Sequence, residues 1–295
     1  MKILLTGSSG YLGSVLMPML QEKHEVVPFD NGLYGIRNDC DIRNLNKLKE
    51  KAKDCHVIIA LGGVVGDEAC DYDRDYTKST NIEATHNLKA FKDKRIIFAS
   101  SCSVYGFQKD MVDETSQLNP VSYYAETKIK SEHIISSMPD CCILRFPTMF
   151  GISPRMRYDL VINKFVLDAV IKHKITINGG SQWRPFCSVK DVAKGIVSLV
   201  DKPKIKGIYN FGGVNFSLLE IGWKVREMIS CDVEVDRRVF DKRSYMVNFS
   251  KVEKDVGIIS QQSIQSAVNE IESTLKDFTD NDKYYNNLAI KRNVR

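Results

Sequence analysis

The sequence predicts an α/β fold, a doubly wound parallel sheet followed by a smaller α/β region, and three observations carry that expectation. Short apolar runs alternate with longer amphipathic segments through the first part of the chain. A glycine-spaced turn joins the first run to the first amphipathic segment. The alternation then loosens after Gly151. Strand and helix in strict succession is the pattern of a parallel sheet covered by helices on both faces.

Taken in order, residues 3–5, 26–29, 57–61, 96–99 and 143–146 are short, bounded and rich in β-branched or aromatic side chains, as buried strands are. Between them, 11–22, 45–53, 81–91 and 122–137 read as helices. Pro18 lies inside the first of these, where a kink is expected, because proline lacks the N–H and crowds the preceding turn. Beyond Gly151, 159–173, 191–200 and 218–229 read as helices, and 174–177, 207–211 and 233–235 as strands. The division expected is a dinucleotide-binding domain over 1–150, using part of 186–212 as well, and a substrate-binding domain over 151–185 and 213–278. Residues 279–295 are polar and without periodicity, and read as a loose tail.

Composition narrows the function classes. Hydrophobic content of 43% with 27% charged residues is that of a globular protein. A formal charge of +5 is mild, and the basic residues are dispersed, so nucleic acid is not the expected partner. No apolar run approaches the ~20 residues of a membrane span. The eight cysteines form no Cys-x-x-Cys pair and read as small buried hydrophobes of a reduced, cytoplasmic protein. The five histidines share no metal-ligand spacing, so no metal is expected.

Gly7, Gly10 and Gly13 directly follow the first strand and open the first helix. This spacing permits a tight turn, close backbone approach to a pyrophosphate, and phosphate contact with the free N–H groups of a helix N-terminus. It is the turn of a Rossmann-type sheet. Asp30 and Asn31 end the second strand, about twenty residues further on. A carboxylate there accepts from both ribose hydroxyls and repels a 2′-phosphate, which favours NAD over NADP.

Tyr-x-x-x-Lys occurs twice, as Tyr105/Lys109 and Tyr124/Lys128. Tyr105 precedes Gly106 just after a strand and reads as a loop residue. Tyr124 and Lys128 lie near the start of a helical segment, where i and i+4 share a face. A phenol ionises near pH ~10, so it acts as a base only if a nearby cation lowers that value. Ser101, at the carboxyl end of the fourth strand, can hydrogen-bond the same substrate oxygen.

These residues, together with Asp41-Ile42-Arg43, Leu61-Gly62-Gly63, Asn81 and Trp183-Arg184-Pro185, resemble the extended short-chain dehydrogenase/reductases, in the NAD-dependent nucleotide-sugar epimerase/dehydratase branch. The resemblance runs from residue 1 to about 275. It implies that Asp41 and Ile42 meet the adenine, and that Tyr11, Leu12, Leu61, Gly62, Gly63 and Asn81 line the dinucleotide. It places Phe146 and Pro147 beside the nicotinamide, makes Ser101, Tyr124 and Lys128 the catalytic trio, and gives Arg184 the diphosphate of a nucleoside-diphosphate sugar. Thr148, Asn163, Cys102 and Ser103 join the substrate side. Arg155, Arg157 and Arg243 are further candidates there, because guanidinium groups suit diphosphate. The family's usual His before the Leu61 position is Ala60 here.

Absences narrow the branch. Its 4,6-dehydratases carry Asp-Glu after the catalytic hydroxyl residue, where this chain has Cys102 and Ser103. Cys102 reads as a small pocket-lining residue. What remains is hydride chemistry without elimination at C4 of the sugar, as a 4-epimerase or as a 4-dehydrogenase or 4-ketoreductase. Residues 150–165 are similar to a stretch of bacterial GDP-heptose 4-dehydrogenase-type enzymes. Competing readings are an NADPH-dependent reductase of a non-sugar ketone and a non-catalytic dinucleotide sensor. A homodimer is expected through the 81–91 and 122–137 helices.

Overall fold

Six strands form the central sheet: β1 (Lys2–Thr6), β2 (Glu25–Phe29), β3 (Val57–Ala60), β4 (Arg95–Ser101), β5 (Cys141–Phe146) and β6 (Gly207–Asn210). The computed structural model describes residues 1–33, 40–257, 260–275 and 286–287. The strand order is β6-β5-β4-β3-β1-β2, and every neighbouring pair is parallel. Alternate residues feed two separate cores. Ile3, Leu5, Ile59 and Leu144 face one layer, and Leu4, Ile58, Phe98 and Ile143 face the other. A strand buried on both sides reads as a continuous apolar run, which is why these strands were legible. Pro28 sits in β2, the outer strand beside β1, where its missing N–H leaves no ladder bond unmade.

The chain steps from β1 outward to β2 and then returns to β3 on the other side of β1. That reversal opens a crevice above the carboxyl ends of β1 and β3, the place where open α/β sheets bind ligands. The first helix, Gly13–Gln21, starts at this crevice and runs through Pro18. The expected 81–91 helix is instead a π-turn at Ser79–Glu83, one α-turn at Ala84–Asn87 and a 3-10 turn at Leu88–Ala90. The Asn81 carbonyl accepts from Thr85 Oγ1 at 2.6 Å and from Ser131 Oγ at 2.7 Å, and such hydroxyls compete with the helical ladder. Two helices that periodicity did not reveal, Asp67–Tyr72 and Arg74–Lys78, are too short to show any.

In the smaller α/β region, Trp183–Ser188 pairs with Thr148–Phe150 and Val214–Ser217, and Lys174–Asn178 pairs in parallel with Asp232–Asp236. Ser244–Val247 pairs in parallel with Phe107–Val112, stitching a late segment onto the chain that leaves β4. Ser250–Val256 and Ile264–Thr274 are helices that the sequence reading left unassigned. Of 279–295, only Asn286 and Asn287 fall within the described residues, and Asn287 is buried against the cleft rather than loose. No helix among the described residues is long and apolar enough to cross a membrane. All eight cysteines are free thiols, and seven are buried.

Tyr105 is not a loop residue. It ends the 3-10 turn Cys102–Tyr105, is fully buried, and bonds Asn210 Oδ1 and the Asp113 carbonyl at 2.8 Å each. Gly106 follows at φ +61°, and a Cβ there would lie 1.6 Å from the Asn119 carbonyl oxygen. Arg145 donates to Tyr105 at 2.9 Å and forks onto Glu132 at 2.7 and 3.0 Å, both partners being buried. Removing one member of a buried pair strands the other's charge in a dry interior. Arg145→Met is therefore expected to cost about 3–5 kcal/mol of stability, read from urea unfolding.

Candidate active site

The glycine turn has the geometry that its spacing predicts. Gly7 holds φ +68°, and a Cβ on it would lie 2.8 Å from Gly62 N. A Cβ on Gly13 would lie 2.1 Å from the Gly7 carbonyl oxygen, so strand and helix approach more closely than any side chain allows. Asp30 sits opposite. One carboxylate oxygen accepts from Ser9 N and the other from Gly32 N, each at 2.9 Å, so the acid braces the turn itself and keeps lone pairs towards the cleft. Asn31 donates to the Tyr76 hydroxyl at 3.3 Å, and Arg43 lies 4.7 Å from the centroid of that ring.

A single cleft of about 1090 Å³ runs from this turn along the sheet's carboxyl edge to the substrate side. It is lined by Gly7, Gly10, Tyr11, Leu12, Gly13, Asp30, Asn31, Ile42, Leu61, Gly62 and Gly63 at one end. Ser101, Ser103, Tyr124, Lys128, Phe146, Pro147 and Thr148 follow, and then Arg155, Arg157, Arg184 and Arg243. Four residues expected in the site do not line it. Asp41 turns onto Arg43 in a bidentate pair at 2.6 and 3.0 Å. Asn81 spends its amide on both backbone groups of Val64 and on Thr127, so it holds the 62–64 loop from behind. Cys102 is fully buried and donates to the Arg145 carbonyl at 3.2 Å. Asn163 is consumed by Gly151 N, the Tyr11 hydroxyl and the Arg157 carbonyl.

Ser101, Tyr124 and Lys128, expected as the catalytic trio, come together along the cleft. Ser122 caps the Tyr123–Ile135 helix by accepting from Ala125 N at 3.3 Å, which fixes where the helix begins. Tyr124 and Lys128 then share one face, and both are buried. Lys128 Nζ donates to the Ala99 carbonyl at 2.9 Å and lies 5.7 Å from the Tyr124 ring centroid. Ser101, at the end of β4, lies close enough to the Tyr124 hydroxyl to favour its ionised form, and its Oγ accepts from Ser103 N at 3.1 Å. Burial dominates both titrations. It pushes the Tyr124 phenol above its ordinary value, with Ser101 opposing, and it pulls the Lys128 ammonium down to about 8. The phenol was expected to be made acidic by a nearby cation such as Lys128 together with the oxidised nicotinamide; among this chain's own groups desolvation prevails and keeps it protonated.

The arginines form a paired network. Arg184 donates to the Trp183 carbonyl and to Asp241 at 2.8 Å each, and also to the Arg243 carbonyl. Arg243 forks onto Asp241 at 2.8 and 2.9 Å and bridges to Asp67 on the cofactor side. Arg157 is paired with Asp159 at 2.5 Å, and Arg155 donates to Asn287 at 2.8 Å. Asp67, Asp241, Tyr245 and Asn287 were missed. Asp241, Arg243 and Tyr245 alternate along an extended segment, a spacing that places them on one face and could have been read. Asp67 and Asn287 carried no such signal.

A sequence model described as the NAD dependent epimerase/dehydratase family matches residues 3–212. The chain belongs to that family. It is 30% identical over 246 residues to a Bacillus subtilis protein described as an uncharacterized UDP-glucose epimerase, YtcB, across 72% of this chain and 77% of that protein. It is 26% identical to UDP-glucuronic acid decarboxylase 6 of Arabidopsis thaliana, over 87% of this chain and 83% of the relative. Its fold is similar to a crystal structure of UDP-glucuronic acid 4-epimerase from Bacillus cereus with UDP-glucuronic acid and NAD. That match has a TM-score of 0.79 and 25% identity, and covers 94% of this chain and 99% of the other.

For an NAD-dependent epimerase/dehydratase, the dinucleotide cradle depends on the contact at Gly13. Gly13→Ala must force the Gly7 carbonyl away, and the expected result is at least about a tenfold loss of NAD affinity by calorimetric titration, a cost of about 1.4 kcal/mol.

Proposed function

We propose that this chain is an NAD-dependent nucleotide-sugar oxidoreductase or epimerase that oxidises and reduces C4 of a nucleoside-diphosphate sugar without eliminating water. One observation carries the reading. A buried phenol, with Ser101 beside it and Lys128 behind it, opens into the same cleft as the glycine turn, while the thiol after Ser101 points into the core. A Cβ-intolerant turn at the end of a strand, with the Asp30 carboxylate opposite, fits NAD.

NAD, when bound, supplies the hydride acceptor and a positive ring. The protein's own residues do the rest. Ser101 and Tyr124 hold the sugar hydroxyl between them, and Tyr124 takes its proton as the C–H bond is broken. To take that proton Tyr124 must first have lost its own, and Lys128, charged below about pH 8, together with the positive ring favours that phenolate form. The return step runs through the same groups, with Tyr124 giving the proton back. Elimination needs a carboxylate pair next to the catalytic hydroxyl, and Cys102 and Ser103 stand there. Burial also pushes the Cys102 thiol above its ordinary range, which leaves it unfit for proton transfer.

The test is a panel of UDP-, GDP-, dTDP- and CDP-sugars, followed for product stereochemistry and NADH absorbance together. Inversion with no net NADH marks an epimerase, and a ketone with stoichiometric NADH marks a dehydrogenase. No turnover with any member overturns the reading. Tyr124→Phe is expected to lower kcat by about a hundred- to ten-thousand-fold with NAD affinity retained. The pH profile has a definite sign. Because the folded Lys128 titrates at about 8, its charge is present below that pH and lost above it. The alkaline limb of kcat/KM therefore falls as pH rises through about 8, and Lys128→Arg moves that limb upward.

A further inference from the structure

Resting on the nucleotide-sugar reading, we infer that Asp67 is a specificity-determining residue that restricts the substrate to nucleoside-diphosphate sugars whose sugar ring carries no carboxylate. Asp67 opens the Asp67–Tyr72 helix on the cofactor side, lines the cleft, and bridges across it to Arg243. It also lies within electrostatic reach of the Tyr124 phenol and of Tyr245. A sugar that presents one hydroxyl to Tyr124 while its diphosphate meets Arg184 and Arg243 must pass beside this carboxylate.

The charges there are already balanced. Arg184 and Arg243 face Asp241 and Asp67, so two guanidinium groups meet two carboxylates before any ligand enters. A diphosphate brings further negative charge and takes up whatever attraction the guanidiniums still offer. A third anion on the sugar then meets Asp67 and Glu68, which also lines the cleft, with Arg184 and Arg243 already paired to carboxylates; of the other cations there, Arg155 donates to Asn287 and Lys128 to the Ala99 carbonyl. Further along the wall, Arg157 is paired with Asp159, and both Lys164 and Lys172 with Asp168. Like charges brought together in a partly buried site repel strongly, because water screens them poorly. A neutral ring instead gains a hydrogen-bond acceptor in Asp67, since a carboxylate accepts from sugar hydroxyls.

The experiment compares affinities of the NAD-loaded enzyme for UDP-glucose against UDP-glucuronate, and for GDP-mannose against GDP-mannuronate, by calorimetry. The wild type is expected to favour the neutral member of whichever pair it binds by at least about tenfold. Asp67→Asn, which keeps the side-chain shape and removes the charge, is expected to shrink that ratio several-fold, chiefly by improving the uronate. Asp67→Ser repeats the test with a shorter side chain, and NAD affinity and melting temperature identify any variant that has lost its fold. A wild-type preference for the uronate overturns the inference. So does an Asp67→Asn change that is equal for both members, since Asp67 then only competes for Arg243. Binding of neither pair, with NAD still bound, overturns the inference for these sugars, and the nucleotide-sugar reading itself falls only if the dTDP- and CDP-sugars fail as well.

Discussion

Arg145 carries a guanidinium into the interior at the carboxyl end of β5, and its partners define the catalytic edge of the sheet. It forks onto Glu132, bonds the Tyr105 hydroxyl, and its carbonyl receives the Cys102 thiol. Ser100, at the end of β4, donates to the same Glu132 at 2.5 Å. Two strand ends, one helix and the turn after β4 are thereby tied at one point. Tyr124, Lys128 and Glu132 are spaced at i, i+4 and i+8 along the Tyr123–Ile135 helix, so pinning Glu132 sets the height of the Tyr124 and Lys128 side chains above the sheet. A buried ion pair contributes little net stability, because desolvation offsets its attraction. Here it determines position.

The same dryness shapes the chemistry. Burial favours the neutral forms of both Tyr124 and Lys128, which brings the ammonium close to its balance between charge states and holds the phenol protonated. Positive charge arriving next to the phenol has a large effect in such a place, whereas in water it is screened. The substrate wall works differently. Its buried or half-buried guanidiniums are accompanied by Asp67 and Asp241, which offset the cost of removing those charges from water.

The site was legible in the sequence wherever backbone geometry or helical period decides. Gly7 and Gly13 need no neighbour to be understood, since their spacing and their place after a strand already imply close approach. Tyr124 and Lys128 could be separated from Tyr105 and Lys109 by helical context alone. What failed was the rotation of a side chain about its element. Cys102 and Ser103 are adjacent, yet the 3-10 turn sends the first into the core and leaves the second on the cleft. Asn81 has the expected position along the chain, but a π-turn aims its amide at Val64 rather than at the cleft. Asp41 and Asn163 each found a closer partner than any ligand.

The sequence by itself determined the parallel sheet, the glycine turn and the Tyr124/Lys128 pair on one helix face, because each follows from contacts within a few residues or from a repeating pattern of burial. Only the tertiary structure decided which acid meets which arginine. Arg243 and Asp67 are 176 residues apart, and Asn287 reaches the Val65 carbonyl across 222. Pairings at such separations leave no local signature, since they depend on how whole elements pack and on which charges must find company once water is excluded.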